Sequence, residues 1–204
     1  MQLFLHSLWH DLAATTLLEY CAVIFGILSV WYASRENIWV YPTGIINVGL
    51  FVYLFINAHI YAQSVLQVYY LIMSIYGWYN WVHHPSSEGN TAITRLDIQG
   101  WLLVIGLTSI GTYIIYFVLK KYTDSTVPFL DGFTTAISFV AMWLMAVKKV
   151  ENWICWIVGD SILIVLSISQ HLAFTSIQYL VFFGLAVSGW IEWNKKIKNA
   201  QTIA

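Results

Sequence analysis

A chain of 204 residues that is 59% hydrophobic and only 9% charged has too little polar surface to face water on every side; an ordinary soluble domain carries about a quarter of its residues as charges. Its mean hydropathy of +0.70 places it among integral membrane proteins. A net charge of −1 gives no case for a nucleic-acid partner or a polybasic surface.

The first 16 residues hold His6, His10 and Asp11 but no Lys or Arg, and no cleavable signal peptide is visible. A spanning helix needs about 20 apolar residues, and seven runs approach that length: 17–34, 39–58, 64–82, 99–119, 129–147, 153–170 and 174–193. Glu19 opens the first run and Asp131 the fifth, where a negative charge suits the positive helix terminus. Pro42 stands early in the second run, either as a hinge or as the sign of a helix that starts a few residues later. The one longer link, 83–98, carries His83-His84 and a Pro-Ser-Ser-Glu-Gly-Asn turn. Cys21 and Cys155 lie within apolar runs and read as packing residues. His59 and His171 fall in turns, and two histidines with no third ligand are weak evidence for a metal. The expected fold is therefore an all-α integral membrane bundle of seven transmembrane helices. One side of that bundle holds only Lys120 and Lys121, while the other collects Arg35, Arg95, Lys148, Lys149, Lys195, Lys196 and Lys198. Positive residues favour the cytoplasm, which puts the N-terminus outside and the C-terminus inside.

The chain repeats itself at a spacing of 112. Glu19 meets Asp131, Trp31 meets Trp143, His59 meets His171 and Ser64 meets Ser176. The specific match is GWYNW (77–81) against GWIEW (189–193). The links suggest small register shifts, with Glu36-Asn37 against Glu151-Asn152 at 115 and Asn47 against Asp160 at 113. Residues 17–82 and 129–193 thus read as two parallel three-helix repeats joined by a linking helix, 99–119. Such repeats mark transporters, with the substrate near the midplane between the halves.

The segment W-x-x-W-x-x-x-D (Trp153, Trp156, Asp160), followed by G-x-x-x-W (Gly189, Trp193), resembles the PnuC-type nicotinamide riboside transporters. So does LQVYYLIMSIYGWYNW (66–81), and the resemblance covers roughly 17–193. It implies a 3+1+3 fold similar to that of the SWEET sugar transporters. It also implies uptake of a vitamin precursor by facilitated diffusion into a bacterial cell, no cofactor, and a cytoplasmic kinase that traps the product on the way to NAD. Thiamine is the alternative substrate within this family, a neutral sugar the alternative within the wider fold, and a homo-oligomer stays open. The sixth run departs from the family pattern by reading IVLSI (164–168) where a tyrosine is expected.

Trp153, Trp156 and Asp160 sit at i, i+3 and i+7, so they share one helix face. Asp160 lies about 10 Å deeper than Trp153. A carboxylate at such depth faces a cavity or a partner, and no Lys or Arg stands inside any run except near its ends. A flat organic cation, the pyridinium of nicotinamide riboside or the thiazolium of thiamine, would supply the countercharge, with indole faces to hold it. Asn47, Gln67, Tyr70, Ser74 and Tyr179 are the candidate polar partners. Each residue also has a plainer reading: Trp153 and Trp156 as interfacial anchors, Asp160, Asn47 and Ser74 as interhelical hydrogen-bonding groups, Gln67 as solvated, Tyr70 and Tyr179 as packing. Gly77 and Gly189 read as close-contact positions, and the tryptophans beside them as an aromatic belt.

Overall fold

The computed structural model describes residues 16–57, 59, 61–83, 93–170 and 172–203; His6, His10, Asp11, His84 and His171 lie outside the described residues. Seven helices follow in chain order: α1 (Leu17–Ser34), α2 (Val40–Asn57), α3 (Tyr61–His83), α4 (Ile98–Tyr122), α5 (Pro128–Ala146), α6 (Asn152–Ser169) and α7 (Ala173–Ile203). Six are long and apolar enough to cross a membrane, against the seven spans expected. The exception is α3. Its 23 residues rise about 34 Å, which is ample, but Gln63, Ser64, Gln67, Ser74 and Asn80 dilute its apolar character.

Local chemistry sets the helix starts. Thr16 and Glu19 form a capping box: the Thr16 side chain accepts from the Glu19 N–H, and the Glu19 carboxylate accepts the Thr16 N–H at 2.6 Å. Asp97 caps α4 by accepting from the Gly100 N–H at 2.8 Å. Pro128 opens α5, where a missing N–H costs nothing. Asp131, in the first turn, accepts the Ser125 hydroxyl at 2.6 Å. Pro42 is the third residue of α2 and so stands in the first turn, the plainer of its two readings. α7 does not stop at 193 but runs on to Ile203. A helix that leaves the bilayer has no reason to end there, and Ile197 is buried in the core beyond it.

The helix bounds recur at one spacing. α2 and α6 coincide at both ends when shifted by 112, α1 and α5 at their C-terminal residues Ser34 and Ala146, and α3 and α7 at their first residues. The turns after α1 and α5 obey the same shift: Glu36 and Lys148 both adopt left-handed backbone, at φ 56° and 53°. The Asn37 N–H bonds Tyr32 O, and the Lys149 N–H bonds Leu144 O. The offsets of 115 and 113 expected for the links are therefore wrong. The Glu-Asn dipeptide match was a coincidence of residue types, and Asn47 corresponds to Gly159 rather than to Asp160.

Packing closes six helices into a ring. α1 packs on α2, α2 on α3, α3 on α5, α5 on α6, α6 on α7, and α7 back on α1; α4 packs on α5 from outside. The lysine-rich end of the ring is sealed by a core cluster that includes Ala33, Tyr41, Trp81, Met145, Trp153, Trp193 and Ile197. Two bonds tie α7 to α1 and α3 to α5 there. Trp193 Nε1 donates to Ala33 O at 3.0 Å, and Trp81 Nε1 donates to Met145 O at 3.2 Å. Donors and acceptors are both related by 112. Trp81 and Trp193 are 5% and 0% exposed, so they are internal anchors and not the aromatic belt expected. Glu36 completes the seam, accepting from Lys148 at 3.1 Å and Lys196 at 2.9 Å. Left-handed backbone costs a non-glycine residue about 1–2 kcal/mol, and here the two strained residues hold each other as an ion pair.

Candidate substrate site

The ring encloses a cavity of about 490 Å³. It extends from the first turns of α3 and α7, at Gln63 and Thr175, to the tryptophan cluster at the lysine-rich end. Trp153, Trp156, Asp160, Asn47, Gln67, Tyr70, Ser74 and Tyr179 all line it. Four helices supply them: α2 (Asn47), α3 (Gln67, Tyr70, Ser74), α6 (Trp153, Trp156, Asp160) and α7 (Tyr179).

Asp160 is 5% exposed, and no ion pair among the described residues includes it. Tyr70 and Tyr179 line the same cavity from α3 and α7. Asn47 is committed differently. Its amide donates to Ala22 O at 2.7 Å and lies where a Cβ on Gly26 would sit, 2.9 Å away. It ties α2 to α1, as its plainer reading had it, while still lining the cavity. Trp153 is 1% exposed and is no interfacial anchor. Its indole lies on Gly189, where a Cβ would come within 2.5 Å of the ring, and meets Trp193 edge to face at 5.6 Å. The equivalent position in the other half is Tyr41, which lies as closely on Gly77 and meets Trp81 edge to face at 5.3 Å.

The cavity wall also holds residues the sequence reading passed over: Tyr41, Gly44 and Ser29 on one side, Ser138, Gln63 and Gln178 on others. The 112 spacing contained the signal for two of them, since Tyr41 corresponds to Trp153 and Gln63 to the lining residue Thr175. Positions 112 apart on α2 and α6 thus differ in chemistry: Gly44 corresponds to Trp156, and Val48 to Asp160. α6 brings the indole and the charge to the cavity wall, and α2 brings small and apolar side chains.

A ring of long apolar helices closed around a chamber, with a buried carboxylate in its wall that has no ion-pair partner among the described residues, is an architecture suited to a multi-pass membrane transporter. The sequence profile of the nicotinamide mononucleotide transporter family matches residues 16–195, and the chain belongs to that family. Among its relatives, the nicotinamide riboside transporter PnuC of Escherichia coli (strain K12) is 30% identical, over 86% of this chain and 84% of that protein. The riboflavin/roseoflavin transporter RibM of Streptomyces davaonensis is 22% identical, over 92% and 85%. The crystal structure of the vitamin B3 transporter PnuC is similar with a TM-score of 0.74 at 25% identity, covering 97% of this chain and 89% of that one.

Proposed function

We propose that this protein takes up nicotinamide riboside across a bacterial plasma membrane by facilitated diffusion with alternating access. In this reading 17–82 and 129–193 are parallel three-helix repeats, 99–119 is the helix that joins them, and Trp153, Trp156, Asp160, Asn47, Gln67, Tyr70, Ser74 and Tyr179 receive the substrate. The observation that carries it is the buried carboxylate of Asp160, unpaired among the described residues, in a chamber walled by indoles and phenols. A carboxylate held in such surroundings is costly without a countercharge, and the pyridinium of nicotinamide riboside is flat, cationic and suited to an indole face. The names of the relatives point the same way. The charge of the lysine-rich end, with Lys148, Lys149, Lys195, Lys196 and Lys198, favours a cytoplasmic position for it in this reading. The cavity is then sealed on the inside and reaches toward the outer end.

The test is uptake into proteoliposomes with labelled nicotinamide riboside, thiamine and riboflavin, each with and without a pH gradient. Nicotinamide riboside is expected to enter, down its own gradient, at a rate the pH gradient does not change. Asp160→Asn keeps the shape and removes the charge. Two unit charges about 4 Å apart attract by about 1 kcal/mol in water and about 4 kcal/mol at an effective dielectric of 20, so affinity is expected to fall at least about 5-fold. Riboflavin has a neutral ring system and does not need the charge. Riboflavin uptake that survives Asp160→Asn, with no uptake of nicotinamide riboside, would overturn the proposal.

A further inference from the structure

We infer that the ring of helices opens at its lysine-rich end along one seam only: α1 parts from α7 as the gate, while α3 and α5 stay joined as the hinge. The inference rests on the alternating-access reading of the proposed function and names the joint that moves within it.

The path of the chain already makes the two seams unequal. It carries α3 into α4 and α4 into α5, and α4 packs on α5 from outside. That contact is close: a Cβ on Gly132 would come within 3.1 Å of Thr112 O, and one on Gly111 within 3.1 Å of the Ala136 Cβ. The link before α4 is also pinned to the turn after α5, the Thr94 N–H donating to Lys148 O and the Val150 N–H to Thr94 O, each at 3.0 Å. α1 and α7 touch, but no segment of chain joins them.

The side chains repeat this inequality. α3 and α5 are bonded at two depths. Near the lysine-rich end Trp81 Nε1 donates to Met145 O at 3.2 Å and Asn80 Nδ2 to Ala146 O at 2.9 Å. Midway along both helices the Tyr69 hydroxyl donates to Phe139 O at 2.8 Å, and the two rings lie 4.1 Å apart. The positions 112 away on α7 and α1 hold Val181 and Ile27, whose side chains have no hydrogen bond to offer. The bonds that do join α1 to α7 lie at the lysine-rich end: Trp193 Nε1 to Ala33 O, and Lys196 Nζ to Arg35 O and to Glu36. The Lys196 side chain is 39% exposed, so water can replace its contacts at little cost as the seam parts. Glu36 also holds Lys148 across the ring, and that pair separates with the gate. At the other end of the seam Tyr20 and Phe174 meet edge to face at 6.3 Å, a ring contact that can slide. A body bonded at two depths along one edge, and at one end along the other, swings about the first.

The test uses cysteine pairs in the full-length protein, with Cys21 and Cys155 replaced by alanine, reconstituted in proteoliposomes. Ser34→Cys with Glu192→Cys spans the α1–α7 seam. Ala146→Cys with Asn80→Cys, at the positions 112 away, spans the α3–α5 seam where Asn80 already reaches Ala146 O. Arg35→Cys with Lys196→Cys is a second pair across the gate. A short bifunctional thiol reagent joins each pair, mass spectrometry reports the bridge, and the same proteoliposomes before treatment are the reference. Either α1–α7 bridge is expected to abolish uptake of nicotinamide riboside, and the α3–α5 bridge to leave it as before. Binding is expected to survive all three bridges, which marks a locked carrier and not a damaged one. Uptake lost with the α3–α5 bridge, uptake retained with an α1–α7 bridge, or binding lost along with uptake overturns the inference. If the unaltered protein admits thiamine or riboflavin but not nicotinamide riboside, the proposed substrate is refuted and the admitted compound reads the same bridges. If it admits none of the three, the transport reading falls and the inference with it.

Discussion

Replacing Gly189 by alanine sets two effects against each other. Alanine is favoured over glycine in a helix by about 0.8–1.0 kcal/mol. At Gly189 the new Cβ would come within 2.5 Å of Trp153 Cε2 and Cζ2, about 1 Å inside the optimum for carbon atoms. Trp153 is 1% exposed and backed by Trp193, so the open direction for its ring is the cavity itself. Overpacking of this kind costs about 1–3 kcal/mol, and it wins over the helix gain. Gly77→Ala faces the same conflict, at 2.5 Å from the Tyr41 hydroxyl and 2.6 Å from Cε1. Gly184, on the same helix as Gly189, has nothing within 4 Å of a Cβ, so Gly184→Ala shows the helix gain alone. Thermal unfolding in detergent is expected to put Gly184→Ala at or above the parent, and Gly77→Ala and Gly189→Ala several degrees below. Uptake should fall for the last two as their aromatic rings enter the chamber. If Gly189→Ala unfolds and transports like the parent, the account of glycine as the bed for Trp153 is wrong.

Two further substitutions probe the seam between the halves. Glu36→Gln leaves Lys148, 7% exposed, without its counterion; removing one partner of a buried pair costs about 3–5 kcal/mol. The cost should fall at the low end, because Lys148 Nζ also lies over the Trp81 ring at 4.7 Å. Lys196, whose side chain is 39% exposed, contributes little. Trp193→Phe removes the indole bond to Ala33 O, which still accepts the Glu36 N–H, and Trp81→Phe that to Met145 O, which still accepts the Lys148 N–H, so each lost bond costs about 0.5–1.5 kcal/mol. Their drops in Tm should be similar, and a loss confined to one of them would contradict the equivalence of the two bonds.

Much of the site could be read from residue types because the membrane raises the stakes for each polar group. An aspartate beside Trp153 and Trp156 on one helix face has few tolerable surroundings, and Asp160 does line a cavity with both of them. Gln67, Tyr70 and Ser74 share a face of α3 for the same reason. Tyr41 was invisible to that logic, since a tyrosine early in an apolar run passes for packing, and its place in the cavity wall depends on Gly77, which lies 36 positions further along. The register of the links was misread because short polar dipeptides recur by chance; the positive φ at Glu36 and Lys148 is a backbone property that neither residue type announces. The full length of α7 was missed because hydropathy marks where a helix meets lipid, not where its hydrogen bonding stops.

The walls of the chamber are chemically unequal. With an indole and a carboxylate on α6, and Gly44 and Val48 at the matching places on α2, the cationic guest of the proposed function meets its countercharge in one orientation. A symmetrical dication would leave its second pole against valine.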